Sequence, residues 1–216
     1  GLIKQIDDQM GVLFDYLEWA GRTADTLIVF TSDHGDQLGD HWLGEKELFF
    51  EESVRIPMIV YDPDPQADEA RGSRERRLVE AIDLIPTFID ALGGHIPDHV
   101  LEGRSLLPLL RGKQPVEWRQ HVVSELDYAF AWCRRDLGLG PDEARATMLR
   151  TERWKYVHHE AFAPQLFDLE DDPDEFRDLG SDPGLGSMRR EMADRLFQWL
   201  RGRKRRTTLS RVAVDA

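Results

Sequence analysis

The chain has 216 residues, 41% of them hydrophobic, which suffices for one packed core with a smaller appendage. Its 41 acidic residues outnumber 28 basic ones, and the net charge of −13 favours a soluble surface and argues against general nucleic-acid binding. No apolar run approaches the roughly 20 residues that span a bilayer, no basic-then-apolar signal segment opens the chain, and the single cysteine, Cys133, excludes an internal disulfide and fits a reducing, cytoplasmic setting.

Gly1 stands where an initiator methionine would, and an amphipathic segment begins at once, so the chain reads as the C-terminal part of something longer or as a processed product. Ile3, Ile6, Met10, Leu13 and Leu17 step by three and four, which predicts a helix over Leu2 to Leu17 with one apolar face and Gly21 as its stop. Thr26 to Thr31 lacks alternation, as expected of a strand buried on both faces of a helix-covered sheet. A Gly-rich, charged loop runs from Gly35 to Glu47, and Ile56 to Tyr61 reads as a second buried strand with Pro57 near its entry. Asp62 to Gly72 is a polar surface loop. Ile82 to Leu92 reads as a helix with Asp83 as N-cap and Pro86 in its first turn, ended by Gly93-Gly94. Ser105 can cap a short helix through Leu110. This order fits a three-layer α/β domain.

Beyond about residue 115 the texture changes. Gln120 to Leu126, Ala146 to Thr151, Trp154 to His158 and Leu166 to Leu169 read as short strands of a small antiparallel sheet. A last helix from about Leu185 to Arg201 carries Met188, Met192, Leu196 and Trp199 or Leu200 at helical spacing, a stripe read as core. The chain thus divides into residues 1–115, part of an α/β catalytic domain, and residues 116–216, a small antiparallel β subdomain with a terminal helix and basic tail.

The chemistry concentrates in Thr26 to Lys46, TLIVFTSDHGDQLGDHWLGEK. Asp33 and His34 offer a hard oxygen and an imidazole nitrogen side by side where a strand meets solvent, and ligands collect beyond the carboxyl ends of strands in parallel α/β sheets. Carboxylate with imidazole suits Mn²⁺, Zn²⁺ or Fe, and carboxylate alone suits Mg²⁺ or Ca²⁺. Two adjacent ligands do not complete a shell, so others must come from elsewhere in the fold. Lys46, thirteen residues after Asp33, supplies a compact positive charge for an anionic substrate. His41 lies in the same loop and is read as structural or as a neighbour of the site. Asp36, Asp40 and Glu45 are read as loop polarity.

TLIVFTSDHGDQLGDHWLGEKELFFEESVRIPMIVYDP resembles the second metal-ligand block of the sulfatases in the alkaline phosphatase superfamily, and within that group the phosphonate monoester hydrolases most. IDDQMGVLFDYLEWAGRTADT, AIDLIPTFIDALGG with LEGRSLLPLLRG, RTERWKYVHH and QLFDLEDDPDEFRDL resemble further blocks of that family in the same order. The resemblance implies the C-terminal part of an alkaline-phosphatase-like three-layer sandwich followed by a small antiparallel sheet and a C-terminal helix. It implies Asp33 and His34 as ligands of one divalent ion (Mn, Ca, Mg or Zn) and Lys46 as a catalytic contact to the substrate's non-bridging oxygens. His34, where many arylsulfatases carry asparagine, tilts the reading towards phosphonate monoesters and phosphodiesters. The alternatives are an arylsulfatase or choline-sulfatase-like enzyme, and a non-catalytic assembly fragment.

The family's Cys/Ser-x-Pro-x-Arg nucleophile motif, whose cysteine or serine becomes formylglycine, does not occur in these 216 residues. Cys133, in Ala-Trp-Cys-Arg-Arg, lacks that frame. A formylglycine is therefore expected upstream, and the chain alone is expected to be inactive. The resemblance further implies a small anionic ester as substrate and a homo-oligomer with a subunit contact through residues 207–216, while the net charge and the lack of a long apolar run imply no nucleic-acid or membrane partner. His95, His99, His121, His158 and His159 share no ligand spacing, and adjacent His158 and His159 on a strand point to opposite faces.

Overall fold

The computed structural model describes residues 1–203, 207, 208 and 213. Lys204 to Arg206 of the basic tail and most of the expected subunit contact lie outside them. Among the described residues no helix is long and apolar enough to cross a membrane.

Helix α1 (Leu2–Trp19) forms as its period predicts, and Gly21, at φ 67°, donates its N–H to Glu18 O in the left-handed conformation that only glycine adopts without strain. The apolar stripe of α1 is not covered in this structure, and Ile3 and Trp19 are more than four-fifths exposed. Strand β1 (Ile28–Thr31) leads into the Asp33 loop, the short helix α2 (Glu51–Val54) follows, and β2 (Met58–Tyr61) returns. The return makes β1 and β2 antiparallel, with Ile28 opposite Tyr61 and Thr31 opposite Met58. Parallel neighbours need a crossover, whereas this connection folds back on itself and reverses the chain. Both strands are half-buried rather than covered on two faces, and Ile59 is exposed.

The segment expected to be a polar surface loop holds a 3-10 turn, Pro65–Ala70, with Ala67 buried and the buried Asp62 carboxylate 2.9 Å from Arg111 Nε. Helix α3 (Leu84–Ala91) follows a 3-10 turn at Ala81–Asp83. Asp83 does not cap α3. Its fully buried carboxylate accepts the Glu80 and Arg104 N–H groups and grips the Arg119 guanidinium in two contacts at 2.5 and 2.6 Å. A buried carboxylate needs such compensation, and a helix terminus offers less of it. Thr87, also buried, ties the Asp83 carbonyl to the Leu106 N–H, which brings α4 (Leu107–Leu110) onto α3; the Ser105 hydroxyl accepts the Leu107 N–H as expected.

The second half is a four-stranded antiparallel meander of β3 (Val122–Asp127), β4 (Arg145–Arg150), β5 (Trp154–His159) and β6 (Gln165–Asp168), with the short helix α5 (Trp132–Asp136) in the β3–β4 connection. Helix α6 (Gly186–Gly202) packs on one face, where Leu149, Tyr156, Leu166, Met192 and Leu196 form the main core. Each such side chain contributes about 1.5–3 kcal/mol when fully buried. On the opposite face Ala146, Met148 and Val157 pack against Phe49 and Val54. Strand alternation produces this division, since Leu149 and Met148 point to opposite sides. The segment entering α2 is thereby docked on the sheet, and α2 in turn holds the loop of interest.

Candidate active site

Thr31 anchors the end of β1 by donating its hydroxyl hydrogen to Pro57 O at 2.8 Å, and Ser32 Oγ donates to His34 O at 2.7 Å. Asp33 then projects into solvent, its side chain 86% exposed, while the His34 ring is partly covered. His34 Nδ1 lies 2.7 Å from Gly35 O. A carbonyl only accepts, so Nδ1 carries the hydrogen, and the neutral ring keeps its lone pair on Nε2. That nitrogen is 3.7 Å from Asp33 Oδ2. Two donors on one ion at about 2.1 Å lie about 3–3.7 Å apart, so the pair can share a cation, and the carbonyl behind Nδ1 fixes the ring in the tautomer that ligation requires.

The Asp33 carboxyl is held below its ordinary value, first by its own backbone N–H, then by the neighbouring His34, with Lys46 adding to the effect. Lys46 makes the smallest of these contributions, and its own side chain is exposed. Among the described residues no cluster of three His, Cys, Asp or Glu side chains surrounds a common point. The residues present fit two positions of a metal shell and leave the rest open.

The backbone of this loop is closely held. Gly35 N–H donates to Ser53 O at 2.8 Å, and a Cβ on Gly35 would lie 1.8 Å from Glu52 O, so only glycine permits this approach. Ser53 is buried and donates its hydroxyl to Lys46 O at 2.5 Å. Buried Gln37 accepts nothing at Oε1 among the described residues, while its backbone N–H bonds Glu45 O and its Nε2 reaches Glu47 O. Leu38, His41, Trp42, Glu45 and Leu48 all have φ between 51° and 73°, a concentration of left-handed residues that surrounding contacts must stabilise.

His41 is stacked on Phe50 at 3.7 Å between ring centres, with Phe176 at 5.0 Å, and its Nε2 is 3.9 Å from Glu52 Oε2. It lies on a cavity of about 360 Å³ lined also by Trp42, Leu48, Phe50, Phe167 and Phe176, which contains none of Asp33, His34 or Lys46. A larger cavity, about 620 Å³, lies where His121 meets α6 and is lined by none of Asp33, His34 or Lys46; its Arg195 and Arg203 pair with Glu191 and Glu125. Burial, then Arg195, Arg119 and Arg104, push the His121 ring below its ordinary value. Cys133 is a half-buried free thiol on α5.

Sequence reasoning passed over Gly35 as a spacing requirement, Ser53 as the clasp on Lys46, and Lys155. The last had a signal: a lone lysine between Trp154 and Tyr156 at the apolar start of a strand.

Residues 39–202 match the family described as N-sulphoglucosamine sulphohydrolase, C-terminal. The chain belongs to the sulfatase and phosphonate monoester hydrolase family of the alkaline phosphatase superfamily. It is 39% identical over 202 residues to the multifunctional alkaline phosphatase superfamily protein PehA of Trinickia caryophylli, covering 92% of this chain and 39% of that protein. A choline-sulfatase of Rhizobium meliloti is 32% identical over 183 residues, 84% of this chain and 32% of that protein. The crystal structure of the phosphonate monoester hydrolase of Agrobacterium radiobacter superposes with a TM-score of 0.85 at 35% identity, over 92% of this chain and 40% of that one. The chain thus spans about two fifths of the length of PehA and of that hydrolase. These family members bear out the expected family and its mixed α/β fold with antiparallel sheets and a C-terminal helix.

Proposed function

We propose that this chain supplies one wall of the catalytic centre of a metal-dependent hydrolase acting on phosphonate monoesters and phosphodiesters. The observation that carries the reading is the Asp33–His34 pair, 3.7 Å apart with the histidine tautomer set for ligation, in the loop that also carries Lys46. Asp33 Oδ2 and His34 Nε2 would hold a divalent ion, Mn, Ca, Mg or Zn. When bound, that ion supplies positive charge to a phosphoryl or sulfuryl oxygen. Asp33, kept anionic by its low proton affinity, favours a cation over a proton. Lys46, its backbone clasped by Ser53, directs an ammonium towards the substrate's non-bridging oxygens, where charge develops in the transition state.

The attacking group, a formylglycine in the family resembled, is expected from residues outside this chain, and the site takes a small anionic ester as its partner. A cytoplasmic, homo-oligomeric enzyme belongs to the same reading. The second reading, a sulfuric ester hydrolase, is favoured by the similarity to choline-sulfatase. Assays of the protein carrying both halves of the site, on aryl phosphonates, phosphodiesters and aryl sulfates, separate the two. Hydrolysis of sulfate esters alone defeats the phosphonate reading. Metal content unchanged by His34→Ala defeats the ligand assignment.

A further inference from the structure

Lys155 is fully buried on the face of β5 that meets the segment entering α2. Its ammonium donates to Phe49 O at 2.8 Å and forms ion pairs at 2.8 Å with Glu51 Oε1 and 2.7 Å with Glu175 Oε1. Glu175 closes the arrangement, since its Oε2 accepts the Glu51 N–H at 2.7 Å. Arg150 Nε shares that Glu51 Oε1 at 3.0 Å, and its Nη2 reaches Oε2 at 3.3 Å. Two carboxylates and two cations make the group neutral, which lets it persist away from water. Burial drives the Glu51 carboxyl upward, yet Lys155 and Arg150 outweigh it and hold it below its ordinary value; burial dominates at Glu175 and raises it.

Phe49 and Glu51 flank the first turn of α2. Two residues on, Ser53 clasps the Lys46 carbonyl through its hydroxyl and receives the Gly35 N–H on its own carbonyl. Gly35 O in turn orients the His34 ring. Backbone and hydrogen-bond links therefore run from the antiparallel sheet to the Lys46 backbone and the His34 ring, and the His34 backbone N–H in turn donates to Asp33 Oδ1 at 3.1 Å. We infer that Lys155 is a positioning residue for the catalytic loop, the point where the C-terminal sheet fixes Lys46 and the Asp33–His34 pair. The inference rests on the function proposed above for those three groups. Removing one partner of a buried ion pair destabilises by leaving the other uncompensated, so a lysine used only for stability would loosen the sheet, α6 and the loop alike, whereas a positioning residue loosens the loop in preference.

In the protein that carries both halves of the site, the test compares wild type, Lys155→Met and Glu175→Gln, the last a milder change that keeps the side chain's length. Amide hydrogen exchange is read at Gly35, and at Met192 in α6 as an internal reference. Mn²⁺ is titrated in parallel, and broadening of the His34 ring signals reports ligation. The expected result is exchange at Gly35 about tenfold faster or more in both variants with Met192 much less affected, together with a higher Mn²⁺ concentration for half-broadening. Unchanged exchange at Gly35, or equal acceleration at Gly35 and Met192, overturns the inference. Absence of His34 broadening in wild type would sink the metal reading instead, and the exchange comparison would still decide whether Lys155 holds the loop.

Discussion

Gly35→Ala puts the backbone contact beneath the candidate site to a direct test. The added methyl would sit 1.8 Å from Glu52 O and 2.9 Å from Glu52 C, both backbone atoms that cannot rotate away. Carbon–oxygen contacts begin at about 3.3 Å, so loop and α2 must separate by more than an ångström. The move sacrifices the Gly35–Ser53 hydrogen bond, 2.8 Å long, worth about 0.5–1.5 kcal/mol. Overpacking adds about 1–3 kcal/mol, giving a loss of about 1.5–4.5 kcal/mol. For a chain of this size that lowers Tm by roughly 3–18 °C. Chemical denaturation and a thermal scan on wild type and variant measure it, alongside Mn²⁺ affinity, which should also fall because His34 is oriented by the Gly35 carbonyl. A variant within about 0.5 kcal/mol of wild type, the range of an ordinary surface change, would refute the close approach of this loop to α2.

Arg119→Leu should destabilise the chain by about 3–5 kcal/mol, because it strands the buried Asp83 carboxylate, and a denaturation midpoint close to wild type would show that clamp to be unimportant. Leu149→Ala, in the core beneath α6, should lose about 2–5 kcal/mol by the same measurement, well beyond any effect on the loop. Asp168 is held below its ordinary value first by Arg153, which reaches both its oxygens at 2.7 and 2.9 Å. A depressed carboxyl contributes stability above its unfolded value of about 3.9, and loses it as pH falls through the folded value. Asp168→Asn should therefore flatten the decline in stability below about pH 4, and parallel declines in both proteins would count against that pairing. Lys46→Ala should lower kcat about 10²–10³-fold in the protein that also carries the nucleophile, with folding unchanged.

Local periodicity was sufficient to locate α1, α6 and the four strands of the antiparallel meander within one or two residues, because repeats of 3.6 and 2 are written in neighbouring side chains. Asp33 and His34 were equally legible: adjacency in the chain guarantees adjacency in space, and a following glycine marks a tight turn. The sequence by itself therefore determined the longer helices, the strands and the family, while α2, α5 and the 3-10 turn at Pro65–Ala70 were not legible in it. Only the tertiary structure decided that β1 and β2 pair antiparallel, that Asp83 grips Arg119 instead of capping α3, and that Lys155 sits beneath α2. Each of those outcomes depends on partners tens of residues away in sequence, 36 between Asp83 and Arg119 and 106 between Phe49 and Lys155. A charged side chain carries no mark of whether it will meet water or a second charge until the chain has closed around it.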